Sequence, residues 1–191
     1  MRKRIQNAWA VAILVAGCGT YRLVEPRRTA IGDLYTVEPQ VRWSAFRRGV
    51  IELWTVDGPS LQALRFVKGL KDGESLFYSR SSNEENSAKR PEFSLKMTAS
   101  EIADFVADSM SALGAEKTEI KGLRPATFGS AQGFRFELTF LSRKGLEERA
   151  MAAGAVIKGK LYLLLYSGIE VYYYPKHIRD VEKMIQSIQF Q

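Results

Sequence analysis

The sequence predicts an α+β domain in which an antiparallel β-sheet is covered by two amphipathic helices, an α/β/α layering. Three observations carry this. Phe134, Phe136, Leu138 and Phe140 alternate with Arg135, Glu137 and Thr139, the period of a strand with one buried face. Ile102, Phe105, Val106, Met110 and Leu113 recur at helical spacing, and a second helical stripe of Ile178, Val181, Ile185 and Ile188 closes the chain. A helix with a single apolar stripe buries it by packing on a sheet.

In chain order, Arg2, Lys3 and Arg4 form a basic start, and Ala8 to Ala16 is an apolar run without charge. That run is about half of the roughly twenty residues that span a bilayer, so it reads as an export signal rather than a membrane helix. Leu14-Val15-Ala16-Gly17-Cys18 resembles the lipobox of bacterial lipoproteins, with an aliphatic residue at −3, small residues at −2 and −1, then cysteine. The resemblance implies cleavage before Cys18, a diacylglyceryl thioether on its sulfur and acylation of the freed amine. Cysteine usage agrees, because Cys18 is the single Cys of the chain and has no disulfide partner in an oxidising compartment. In this family an aspartate after the cysteine commonly retains the protein at the inner membrane. Gly19 stands there, which implies the inner leaflet of the outer membrane, facing the periplasm, in a diderm host.

Residues 1–17 are therefore expected to be a signal peptide, 18–32 a lipidated terminus and tether, and 33–191 one globular domain. The tether carries Pro26, Arg27, Arg28 and Thr29 with little apolar periodicity. Trp43 and Phe46 suggest a strand. Residues 49–56 and 61–70 read as two more, joined through Asp57 and Gly58. Between Ser79 and Pro91 only Ala88 is apolar, which predicts an exposed loop. Thr98 and Glu101 have capping-box spacing at the start of the first helix, and Gly114 ends it. Residues 146–157 and 161–167 read as a hairpin across Lys158, Gly159 and Lys160, and the last helix is expected to start after Pro175. The predicted core is Phe105, Val106, Leu113, Phe134, Phe136, Leu138, Ile178, Val181 and Ile185.

The run from Gly133 to Phe140, the turn from Ser142 to Gly145, the hairpin through Gly159 and the closing Ile185-Gln186-Ser187-Ile188 resemble the C-terminal half of the PsbP-like fold, that of an extrinsic photosystem II subunit. The resemblance covers about residues 95–191 and is one of pattern. It implies a binding or assembly factor, and no functional residue is carried over from it.

Composition narrows function further. The formal charge is +7, but without Arg2, Lys3 and Arg4 the 28 basic residues become 25 against 21 acidic ones, an excess of +4. No block of five or six basic residues remains, so no nucleic-acid partner is expected. His177 is the one histidine, and beside Pro175 at a helix start it is expected at the surface or in a capping role. Gly129 to Gly133 does not match a nucleophile elbow and reads as a loop before a strand. One His leaves little from which to build a zinc site, and no cofactor is expected. Glu101, Asp104 and Asp108 share one helix face opposite the apolar stripe and read as solvated. Glu147 and Glu148 would point to opposite sides of a strand.

Tyr172, Tyr173 and Tyr174, read as consecutive strand residues, would place rings on both faces of the sheet. One set then meets either a covering loop, the reading preferred, or a partner surface. The sequence thus predicts a non-catalytic interaction or envelope-assembly lipoprotein, held to a membrane through Cys18 and meeting an envelope protein partner. The alternative is a small-ligand carrier or a cryptic enzyme on the same scaffold.

Overall fold

The computed structural model describes residues 21–77 and 90–191. Among them are eleven strands and two helices: β1 Arg22–Val24, β2 Thr29–Ile31, β3 Tyr35–Val37, β4 Trp43–Arg48, β5 Ile51–Thr55, β6 Gln62–Leu70, α1 Ala99–Ala112, β7 Glu116–Phe128, β8 Ala131–Leu141, β9 Glu147–Ile157, β10 Lys160–Ile169, α2 Tyr173–Gln186 and β11 Gln189–Phe190. Eight strands form one sheet in the order β1-β4-β5-β6-β10-β9-β8-β7. Its pairings are antiparallel throughout. A second, three-stranded sheet runs β11-β3-β2 and brings the C-terminal strand onto the first third of the chain.

Side-chain alternation divides the core in two. On one face α1 lies against β7 and β8, and Ile102, Phe105, Val106 and Met110 pack with Phe134, Phe136, Leu138 and Phe140. On the other face α2 lies against β9 and β10, where Tyr174, Val181 and Met184 pack with Trp43, Trp54, Phe66, Met151 and Tyr166. Neighbouring β9 residues separate cleanly: Ala150 and Ala152 enter the first cluster, Met151, Ala153 and Ala155 the second.

Local sequence explains several boundaries. Thr98 caps α1 in a capping box, its hydroxyl accepting from the Glu101 amide while the Glu101 carboxylate accepts from the Thr98 amide. The β9–β10 hairpin turns on Lys158 and Gly159, both at positive φ (49° and 72°), as a two-residue hairpin turn of this type requires. Gly129 and Ser130 form the short turn between β7 and β8, which agrees with a loop before a strand.

Five expectations are corrected. The tether assigned to residues 18–32 is described from Tyr21 onward, and there it carries β1 and β2, both paired within sheets. Arg22 pairs with the buried Glu52 and thereby ties the first strand to the core. Tyr173 and Tyr174 lie in the first turn of α2, with Tyr172 as its N-cap, so the tyrosines do not form a strand. Pro175 is the third residue of that helix, where a missing N–H leaves no intrahelical bond unmade. His177 is buried at 6% exposure, because α2 turns it inward beside Trp43. Leu113, assigned to the core, is 39% exposed at the α1 C-cap. In addition, β7 was not foreseen, and the sheet extends well beyond what two helices cover.

Candidate functional site

Three places concentrate chemistry. The first is the start of α2. Tyr166, on β10, donates its hydroxyl to the carbonyls of Tyr173 and Tyr174 (2.8 and 3.2 Å), fixing the first turn of a helix that has no side-chain cap. His177 Nε2 lies 3.1 Å from Asp57 Oδ2 and its Nδ1 3.8 Å from Asp180 Oδ2. Asp57 also accepts from Lys176 Nζ at 2.7 and 2.9 Å. The hydrogen bond from Lys176 holds the Asp57 carboxyl below its usual range; desolvation opposes it, and His177 adds a smaller lowering effect. Burial raises the hydroxyl pKa of Tyr166 and pushes that of Tyr174 up to about 12, so both remain neutral donors. The three tyrosines have separate roles. Tyr174 is buried and stacks on Tyr166, Tyr173 is half-buried, and Tyr172 is 58% exposed beside Val171 at 85%. Lys176 Nζ sits 5.6 Å from the Tyr172 ring centroid, a cation–π contact on the outer surface.

The second is a buried ion cluster around Glu52, at 0% exposure. Its carboxylate accepts from Trp54 Nε1 and Arg47 Nε, each at 3.0 Å, and from Arg22 Nη2 at 3.4 Å, with Lys68 Nζ at 3.7 Å. Three cations and an indole thus converge on one carboxylate that water does not reach. Sequence reading passed over it, since a charge between Ile51 and Leu53 in an alternating strand looks outward-facing.

The third is an open groove on the α1 side of the sheet, over β4, β5 and β6. Neither helix covers it, and neither core cluster contains Phe46, Ile51 or Leu53. Those residues, with Leu76, Phe77 and Leu113, line a hollow of about 560 Å³ that also meets Arg65. Arg65 and Leu113 also line a second, more polar hollow of about 380 Å³, with Ser142, Arg143, Lys144, Glu148 and Ser167. Arg65 donates from Nη1 to Ser167 Oγ at 2.9 Å. Burial lowers the Arg65 pKa and raises that of Glu148, while the attraction between the two opposes both shifts.

Of the residues singled out in the sequence, Cys18 lies outside the described residues, as does most of the loop from Ser79 to Pro91. Asp104 and Asp108 are exposed, and Glu101 serves the α1 cap. Among the described residues there is no group of three or more His, Cys, Asp or Glu able to hold a metal ion. No described helix is long and apolar enough to cross a membrane.

No family model matches the chain, and no curated protein matches it. The solution structure of cyanobacterial PsbP (CyanoP) from Synechocystis sp. PCC 6803 is similar, with a TM-score of 0.55 and 11% sequence identity over 93% of this chain and 96% of that one. The similarity extends past the C-terminal half that the sequence pattern indicated and includes the strands before α1. The chain has the PsbP-like fold: a large, mostly antiparallel sheet with two helices.

Proposed function

We propose that this chain is a lipid-anchored protein of the bacterial envelope whose domain faces the periplasm and binds another envelope protein without catalysis. The exposed Val171–Tyr172 pair carries the interaction reading. Here two large apolar side chains project side by side just before the first turn of α2, and tyrosine is among the residues enriched at binding hot spots. The lipobox ending at Cys18 supports the anchor. Only three residues, Gly19, Thr20 and Tyr21, separate Cys18 from Arg22 of β1, four residue steps in all. At about 3.3 Å per extended residue, the lipid would hold the edge of the sheet within roughly 13 Å of the bilayer. The single imidazole supports a non-catalytic reading, because it is buried against Trp43 with Nε2 at hydrogen-bond distance from Asp57, and it lines neither hollow. The open groove favours a small-ligand reading as a second role of the same domain.

A photoreactive phenylalanine analogue at position 172 tests the interaction in intact cells, with the same analogue at the exposed Val156 as control. The expected result is a discrete adduct with one envelope protein at 172 alone. Identical adducts at both positions would rule out a specific contact there. Gly19→Asp tests sorting and is expected to move the protein to the inner membrane on a density gradient.

A further inference from the structure

We propose that the groove over β4, β5 and β6 is a binding site for a single-chain amphiphile with an anionic head, its tail against Phe46, Ile51 and Leu53 and its head at Arg65. This goes beyond the lipoprotein reading; its test on nanodisc-held protein rests on the anchor, and failure of the anchor would show separately, as protein absent from the nanodisc fraction. The tail end is defined by apolar side chains that, among the described residues, lie outside both core clusters. Phe46, Ile51 and Leu53 are half-buried on the side of the sheet that α1 leaves open, and they belong to neither core cluster. The hollow they line with Leu76 and Phe77 is about 560 Å³, within the range of small-molecule sites. Apolar surface left concave on a rigid sheet is a place where a hydrocarbon chain gains by leaving water.

The head end is defined by charge. Arg65 borders both hollows, so the apolar one opens onto the polar one through its guanidinium. Among the described residues that group donates only to Ser167, which leaves most of its five N–H donors for a ligand. Arg143 and Lys144 line the same polar hollow, where Glu148 is the only acidic side chain. Three cations against one carboxylate favour an anion, and a planar guanidinium matches a carboxylate or phosphate in two-point contact.

The test uses the full chain in lipid nanodiscs at pH 8, a diazirine-bearing palmitate, irradiation and mapping of the labelled peptides by mass spectrometry. Label is expected on the peptides holding Ile51, Leu53 and Phe77. The chain-length-matched diazirine alcohol should label them about tenfold less, since it lacks the charge that Arg65 meets. Arg65→Met should reduce palmitate labelling to the level of the alcohol. Leu53→Trp, which fills the hollow at a half-exposed position, should abolish labelling while the urea midpoint stays near wild type; this keeps the test decisive if Arg65→Met folds poorly. Label spread over the surface in proportion to exposure would overturn the proposal, as would equal labelling by acid and alcohol. Label confined to Tyr21–Leu23, at the edge of the groove where the Tyr21 ring lies 5.6 Å from that of Phe46, with none on the peptides holding Ile51, Leu53 and Phe77, would overturn it too.

Discussion

The two faces of the eight-stranded sheet share the same strands but are built with different chemistry. Directly under α1 the face is nearly pure hydrocarbon: Phe105, Val106, Phe134, Phe136, Leu163 and Leu165 meet there, and the desolvated charges on that side, Arg65 and Glu148, line the hollows beyond the helix. The face under α2 encloses Glu52, His177 and the hydroxyl of Tyr35, and the Arg149 guanidinium lies 5.2 Å from the Tyr174 ring centroid. Burial raises the Tyr35 pKa, with the Glu52 charge adding to the effect. The first face gains stability from area and close packing, so it tolerates exchange among apolar residues of similar volume. The second depends on pairs, so removing one member leaves a partner desolvated and alone.

Breaking each face in turn sharpens this contrast. The largest effect is expected from Phe136→Ala, about 3 to 5 kcal/mol, by opening a cavity on the dry face. Glu52→Gln should cost less, about 2 to 4 kcal/mol on a urea midpoint: Trp54 Nε1 and Lys68 lose the buried charge they face, while Arg22 and Arg47, 52% and 60% exposed, rehydrate. The two differ under repacking: Phe136→Leu should recover most of the loss, whereas Glu52→Met should not, because the three cations remain.

A smaller loss is expected for His177→Ala, about 1 to 3 kcal/mol, because the ring is buried against Trp43 and Asp57 rather than exposed as its sequence position suggested. Asp57 supplies the mildest test. Its folded pKa lies below the unfolded value, so the stability it adds is complete above the unfolded pKa and is lost as pH falls through the folded one. The window lies below about pH 4. Asp57→Asn should therefore be less stable than wild type near neutrality, and the difference should shrink as the pH drops below 4. A constant difference down to pH 2 would remove Asp57 from the ionic account.

The same contrast explains what was legible in the sequence. The dry face could be read from period alone: β8 alternates strictly, and α1 begins at a capping box that the structure reproduces. The α2 face could not, since its defining residues look like surface residues in one dimension. Glu52 sits between two aliphatics like any outward charge, and His177 follows Lys176 at a helix start. Which of them is buried depends on partners far away in the chain, Arg22 for Glu52 and Asp57 for His177. Three successive tyrosines favour strand locally, but tertiary contacts placed them at a helix N-terminus, where Tyr166 ties down the first turn. β7 escaped notice because Glu116–Phe128 is an edge strand rich in charge, with Pro125 inside it. Such edges lack buried alternation for the same reason that they resist aggregation. The groove was not legible either, because Phe46, Ile51 and Leu53 look like core residues until the positions of both helices are known.

The membrane anchor underlies the proposed function, and metabolic labelling with a clickable fatty acid tests it most directly. Wild type should incorporate label into the processed protein, and Cys18→Ser should incorporate none while its precursor stays uncleaved or is mis-sorted. Equal label on the two proteins would contradict the anchor.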